Sequence, residues 1–389
     1  MKVLFLTAWY PNRYDAMAGL FVRKHALAVS QSAEVCVLYI HPDEHIKETE
    51  IVETTEGTLH EVIVYHPFVD NSTLKKVSKA IGFCRAFAKG FEVVRQHYGM
   101  PDVTHVNVLT RCGVLAWWLE RKHHIPYVIT EHWSRYLPQN FSYTGFLRKH
   151  LTQKVLQNAY AVMPVCENLG KAMQRCGLNH KNYQVVPNVV DDYFFQTPHR
   201  PHQEGTPYTI LHVSCFDEKS KNVSGTLRAF RQLAEIRHDV QFRFVGTGTC
   251  YDEAVALANH LDFPTGTLSF TGELPPEGVC QEMSTADALV LFSNYENAPV
   301  VVSEALAMGI AVIASNVGGI PEMVSDNCGT LVEPGNEGAL TDGLNRLLNN
   351  YSQYSNATIR QHGLRYQFAT VRDTLYNMYQ LAVKNKNNG

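Results

Sequence analysis

The chain has 389 residues, 45% hydrophobic and 18% charged, with a formal net charge of −3. That length exceeds one ordinary core and points to two domains, the composition excludes a disordered chain, and the charge supplies no general attraction for nucleic acid. Nine cysteines lie scattered without a C-x-x-C pair or a Cys/His ligand spacing, and read as thiols of a reducing compartment rather than disulfides or a zinc site.

The opening M-K-V-L-F-L-T-A-W-Y-P reads as a first strand, Val3 to Thr7, because no small-residue cleavage site of a signal peptide follows it. The loop Trp9 to Gly19 leads into a helix, Leu20 to Val29, with Arg23, Lys24 and His25 in its first turns. Gly19 either forms a plain turn or lets the backbone approach a ligand closely. Further strands are expected at Glu34 to Ile40, Val103 to Val108, Tyr127 to Thr130 and Ala161 to Val165, with a hairpin at Ile51 to His66. Helical patterns lie between most of them, the sequence habit of a parallel sheet covered on both faces. Residues 74–95 carry an apolar stripe (Leu74, Val77, Ile81, Cys84, Ala88, Phe91) beside Lys75, Lys76, Lys79, Arg85, Lys89 and Arg95. Such a helix either packs on the core with a solvated basic face or lies on an anionic membrane. No apolar run approaches the length of a membrane span.

Ile129 to Trp133 ends a strand in polar and aromatic residues, which brings His132 to the edge where open α/β sheets bind ligands. The rhythm breaks at Asp191 to Pro207, rich in Pro and His, and the interdomain linker is placed at 191–206. A second series follows at Thr209 to Ser214, Gln241 to Val245, Leu268 to Thr271, Ala288 to Phe292 and Ala311 to Ala314. The expected fold is therefore α/β: two Rossmann-like domains, 1–190 and 207–366, with a cleft between them and a terminal crossover helix, about 367–389, that is grouped with the first and packs across both. After the first strand of the second series come Cys215, Lys219, Lys221 and Asn222. Either lysine could meet a diphosphate as a compact charge. Gly246-Thr247-Gly248 closes the next strand, a fragment of a glycine-rich loop. The richest stretch is Ser293 to Glu322, where Glu296 falls in a polar loop with Asn297, Ala298 and Pro299, and Glu304 follows at the start of a helix, Val301 to Met308. Two carboxylates and a helix N-terminus at one strand edge suit a ligand that is phosphorylated and rich in hydroxyls, such as a nucleotide sugar.

Taken together these segments resemble the family-4 (group 1) retaining glycosyltransferases of the two-domain GT-B architecture. The likeness is strongest in E-x7-E, Glu296 to Glu304, with the following E-A-L-A-M-G-I-A-V-I-A-S-N-V-G-G-I-P-E, and is supported by G-L-F-V-R-K-H, V-P-N-V-V-D and F-V-G-T-G. The resemblance implies that Glu296 lies against the donor sugar, Glu304 holds the nucleotide ribose, Asn297, Ala298 and Pro299 line the donor, Gly19 lies near the diphosphate, His132 contacts the transferred sugar, and Lys221, or else Lys219, meets the phosphates. Gly246 joins the donor-binding set. The chain departs from the family in carrying Cys215 where many members have an arginine; either one lysine is enough, or Arg23, Lys24 or Lys219 compensates.

The expected reaction is retaining, metal-independent transfer from a UDP- or GDP-sugar to a glycan or lipid-linked acceptor in surface polysaccharide assembly. No cofactor is expected, and no metal, since no D-x-D pair follows a strand. The expected setting is the cytoplasm or the inner membrane face, with membrane contact through 74–95 and no nucleic-acid partner. A nucleotide-sugar epimerase of related shape and a non-catalytic sugar-nucleotide binder are the rival readings.

Overall fold

The computed structural model describes residues 1–68, 75–109, 111–200 and 202–387. Leu74, Pro201 and residues 388–389, assigned above to the basic helix, the linker and the terminal helix, lie outside them.

Two sheets form. The first contains β1 (Lys2–Thr7), β2 (Glu34–Asp43), β3 (Glu50–Glu56), β4 (Leu59–Pro67), β5 (Val103–Asn107), β6 (Tyr127–Glu131) and β7 (Ala161–Pro164), in the order β3-β4-β2-β1-β5-β6-β7. All neighbours are parallel except the β3–β4 hairpin. The second contains β8 (Tyr208–Val213), β9 (Val240–Val245), β10 (Leu268–Gly272), β11 (Ala288–Leu291), β12 (Ala311–Ser315) and β13 (Gly329–Val332), all parallel, in the order β10-β9-β8-β11-β12-β13. In each sheet the strand order reverses beside the first strand, between β1 and β5 and between β8 and β11. Those are the crevices where an open sheet takes its ligand.

The cores follow from strand alternation. Leu4 and Leu6 of β1 face one layer of helices with Leu38, Phe87, Leu115 and Leu156, while Val3 and Phe5 face the other with Val22, Val37 and Leu375. The helix Lys75–Val93 buries Ala86, Phe87 and Phe91 but leaves Ile81, Cys84 and Ala88 exposed. Phe91 thus faces inward as expected, but the rest of the inward face is rotated from the expected stripe, because Gly90 lets the helix settle onto Leu38 and Val64 along that side. The hairpin appears where alternation predicted it, and β13 is a strand the apolar runs did not announce.

The chain passes between the sheets twice. Residues 191–206, expected to be an irregular linker, include a short helix, Asp192–Gln196, whose Phe194 is fully buried in the second core. On the return the terminal stretch is two helices rather than one spanning both domains. Asn356–Gly363 lies against the helix Val300–Met308, a turn follows at Leu364–Tyr366, and Phe368–Asn387 buries Val371, Leu375 and Tyr379 in the first domain. Gly363 permits the close fit of the shorter helix, since an added Cβ would lie 2.7 Å from the Leu306 carbonyl oxygen. The Val190 N–H donates to the Tyr366 carbonyl at 2.9 Å, joining the outgoing and returning segments.

Candidate active site

The carboxyl ends of both central strands open into the gap between the sheets. On the first side, β1 runs into the loop that Gly19 closes. Gly19 has φ 64°, and an added Cβ would meet the Trp9 carbonyl at 2.4 Å, so here the glycine serves the fit of the loop onto its own strand end. The helix Leu20–Ser30 that follows presents Phe21 and Lys24 to the gap. At the end of β6, Glu131 is fully buried and accepts from the N–H groups of Leu109, His132 and Trp133. It thereby fixes the turn that carries His132. The His132 ring packs on Phe21 at 4.6 Å between centroids; its Nε2 meets Asn107 Oδ1 at 3.4 Å, and Nδ1 has no partner among the described residues. Burial, then the neighbouring His25 and His105, push its pKa well below the usual histidine value, so the ring stays neutral.

On the second side, β8 ends in the loop of Cys215, followed by the helical turn Glu218–Lys221. β11 ends in the loop of Ser293, Glu296 and Asn297. Lys221 Nζ donates to Glu296 Oε1, which also accepts from Ser293 Oγ at 2.8 Å. Burial lowers the Lys221 pKa and the Glu296 carboxylate more than reverses it, leaving the ammonium above the usual lysine value. Two glycines press this loop into shape: an added Cβ at Gly318 would meet the Glu296 carbonyl oxygen at 1.7 Å, and one at Gly319 would meet that of Asn297 at 2.3 Å. The loop also bridges the domains. Asn297 Nδ2 donates to the His132 carbonyl at 2.6 Å, and Asn188 Nδ2 donates to that of Ala298 at 3.0 Å.

The helix after this loop begins at Val300, so Glu304 sits a full turn inside it rather than at its start; Pro299 and Val300 hold the N-terminus instead. Glu304 faces Lys24 across the gap at 3.5 Å, and Lys24 Nζ also pairs with Asp191 at 2.7 Å. Burial raises the Glu304 carboxyl pKa against the pull of Lys24, and lowers that of Lys24 against the stronger pull of Glu304 and Asp191.

Two adjoining cavities occupy the gap. One of about 390 Å³ is bounded by Lys24, Cys215, Gly246, Pro299, Val300 and Glu304. The other, about 320 Å³, is bounded by His132, Asn188, Lys221, Glu296, Asn297 and Ala298. Phe21, Cys215, Lys221 and Val300 line both, and both volumes lie within the usual about 300–1,000 Å³ of small-molecule sites. A cation thus stands between a chamber holding Glu304 and one holding Glu296 and His132.

Among the candidates for replacing the missing arginine, Arg23 is occupied by Glu61 and Glu56, each at 2.8 Å. Lys219 is exposed and lines neither cavity, and Gly19 lines neither as well. Lys24 does line the first. Gly246, with φ 128°, lets the β9 turn pass against Ser214.

A model of the group 1 glycosyl transferases matches residues 195–362, and one of glycosyltransferase family 4 matches residues 28–194. The chain belongs to the family-4, group 1 glycosyltransferases. This glycosyltransferase is similar to the putative teichuronic acid biosynthesis glycosyltransferase TuaC of Bacillus subtilis (strain 168), with 22% identity over 363 residues and 89% of each chain covered. Sucrose-phosphate synthase from Thermosynechococcus elongatus superposes with a TM-score of 0.75 at 17% identity, over 98% of this chain and 99% of that one. Anabaena Alr3699/HepE, solved in complex with UDP, gives 0.71 at 16% identity, over 98% and 100%. The architecture of the glycosyltransferase is GT-B.

Sequence reasoning passed over Phe21, Asn107, Asp191 and Asn188 as site residues, and gave no role to Gly318-Gly319. The glycine pair carried the one available signal, since adjacent glycines just past a strand mark a close backbone approach.

Proposed function

We propose that this glycosyltransferase is a retaining, metal-independent enzyme that moves a sugar from a UDP- or GDP-sugar to a glycan or lipid-linked acceptor in surface polysaccharide assembly. The observation that carries the reading is the place of Lys221, between one chamber with Glu304 and a second with Glu296 and His132. A nucleotide sugar has the same order of parts: ribose hydroxyls for Glu304, a diphosphate for Lys221, sugar hydroxyls for Glu296 and His132. That the TuaC relative is named for teichuronic acid biosynthesis and the HepE neighbour was solved with UDP supports the same donor and setting.

Cleavage of the sugar–phosphate bond puts negative charge on the leaving diphosphate and positive charge on the sugar ring. Lys221 and the N–H groups at the start of Val300–Met308 stabilise the first. Glu296 faces the second and accepts from sugar hydroxyls. Neutral His132 offers Nδ1 to a hydroxyl without adding a repulsive charge. The acceptor attacks from the face the diphosphate leaves, and a phosphate oxygen takes its proton, so Glu296 is not a nucleophile. Among the described residues no group of three or more His, Cys, Asp or Glu side chains comes together as a metal site; lysine and backbone supply the positive charge in this scheme.

The decisive experiment follows nucleotide release from UDP- and GDP-sugars with and without acceptor, in the presence of EDTA. Slow release that acceptor accelerates, with the anomeric configuration kept in the product, supports the proposal. Release with return of an altered sugar and no need for acceptor identifies an epimerase; thermal stabilisation by donor without turnover identifies a binder. Loss of activity in EDTA, restored by a divalent cation, removes the metal-independent part.

A further inference from the structure

The helix Phe146–Asn158 turns Thr152, Val155 and Leu156 inward to the first core. With 3.6 residues per turn, Phe146, Leu147, His150, Leu151 and Lys154 share the opposite face. That face is apolar as well: Phe146 is 83% exposed, Leu147 81% and Leu151 39%, and Phe141, in the loop that leads to the helix, is 50% exposed. A single exposed leucine needs no explanation, but a cluster of this size marks a contact surface.

Charge indicates what covers it. No acidic residue occurs between Glu131 and Glu167, while Arg135, Arg148, Lys149 and Lys154 do, in a chain whose total is −3. Among the described residues Arg148, Lys149 and Lys154 form no ion pair. Arg135 is 4% exposed, stacks on Trp133 at 3.7 Å, and leaves Nε and Nη1 without a partner. Lys154 lies within this face, and Arg148 and Lys149 project to its two sides. Aromatic and aliphatic side chains flanked by cations, with no acid in the segment, match an anionic bilayer surface, where the apolar groups enter the acyl boundary and the cations meet headgroup phosphates.

Topology places this face usefully. The helix leads from β6 to the parallel β7, so it runs back along the sheet and its first turn lies at the edge where β6 ends in His132. The Ser142 N–H donates to the Arg135 carbonyl at 3.0 Å, tying the exposed loop to the turn after His132. The helix Lys75–Val93 is less suited, because its Phe87 and Phe91 are already buried in the core.

We infer that Phe141, Phe146, Leu147 and Leu151, with Arg148, Lys149 and Lys154, form the face by which the enzyme lies on an anionic membrane, its His132 rim turned toward a lipid-borne acceptor. Docking itself does not depend on the donor chemistry, so its test stands apart from the transfer assay. The full chain is sedimented with phosphatidylcholine vesicles, with and without phosphatidylglycerol, across a range of salt. Binding only to the anionic vesicles, weakening with salt, is expected. Phe146→Ser with Leu147→Ser lowers that partitioning about tenfold or more, while the melting temperature and donor hydrolysis in solution stay unchanged. Arg148→Gln with Lys149→Gln abolishes the preference for anionic lipid. No binding to anionic vesicles, or binding indifferent to both double variants, overturns the inference. So does a dimer in solution that the serine variant dissociates, since the cover would then be a second copy of the chain.

Discussion

The two lysine–glutamate pairs of the gap differ in what they connect. Lys221 and Glu296 both belong to the second domain and lie 75 residues apart; Lys24 and Glu304 lie 280 apart and face each other across the gap. The first pair is built into one rigid unit and held by the Gly318-Gly319 wedge, so it presents a pre-formed charge arrangement to whatever enters. The second exists only while the domains stand close. A donor that takes Glu304 for its ribose replaces an interdomain contact, whereas one that takes Lys221 and Glu296 inserts into an intradomain one. Under the proposed function the local pair would set the chemistry, and the crossing pair would couple donor occupancy to domain separation.

Breaking the local pair has the largest expected effect. Glu296→Gln keeps the shape and a hydrogen-bond acceptor while removing the charge facing the sugar; kcat falls about 10²–10³-fold, as for other preorganised electrostatic groups, with donor KM changing little in initial-rate kinetics. Glu296→Ala is a poorer probe, because it strands the buried Lys221 ammonium, and breaking a buried pair costs about 3–5 kcal/mol of stability. An unchanged kcat in the glutamine variant contradicts the assigned role.

Breaking the crossing pair acts on stability and donor affinity instead. Lys24→Met leaves Glu304 and Asp191 facing each other without their shared cation. The free enzyme is expected to lose about 3 kcal/mol in denaturant unfolding, with a higher donor KM and nearly constant kcat. A fall in kcat matching that of the Glu296 variant would erase the distinction between the two pairs.

Acidification probes the buried imidazoles around these pairs and in the cores. Burial holds His25 at about 4 and His212 at about 3, and puts His105 and His132 well below the usual value. Their unfolded forms titrate near 6.5, so below that pH the unfolded chain binds protons that the folded one refuses. Stability is therefore full above about pH 6.5 and declines as pH falls toward 4, each such histidine adding about 1.4 kcal/mol per pH unit. Melting temperatures from pH 7.5 to pH 4.5 test this, and Asn in place of His212 should flatten the slope.

The smallest expected effect comes from restoring the family's charge. Cys215 is exposed and lines both cavities, so Cys215→Arg adds a second cation beside Lys221. Donor KM should drop several-fold, about 1 kcal/mol, most visibly at low salt. An unchanged or raised KM would move the diphosphate away from this corner.

Both sheets were readable because buried parallel strands leave continuous apolar runs. β13 was not, because Gly329–Val332 is short and opens with glycine, packed so closely on β12 that an added Cβ would meet the Val312 carbonyl oxygen at 1.8 Å. The basic helix misled in part: Phe91 of the expected stripe is buried, but Ile81, Cys84 and Ala88 are exposed and Ala86 and Phe87 turn inward in their place, because contact with β2 and β4 selects the face. The E-x7-E segment was legible because loop, helix start and following strand are contiguous, so local order alone carries them to one sheet edge.

What the sequence determined by itself is this local order: which segments are strands, where each ends, and that Glu296, Lys221 and His132 lie at strand ends. Which charges meet was decided by the tertiary structure. Lys24 could have been a solvated helix lysine, Asp191 a linker acid and Phe194 a linker aromatic; the tertiary fold made Lys24 the shared cation of Asp191 and Glu304, and Phe194 part of a core. The physical reason is range. Strand and helix signals act over a few residues, while electrostatic partners are chosen by proximity in space, and a parallel fold brings together residues that the chain keeps hundreds of positions apart.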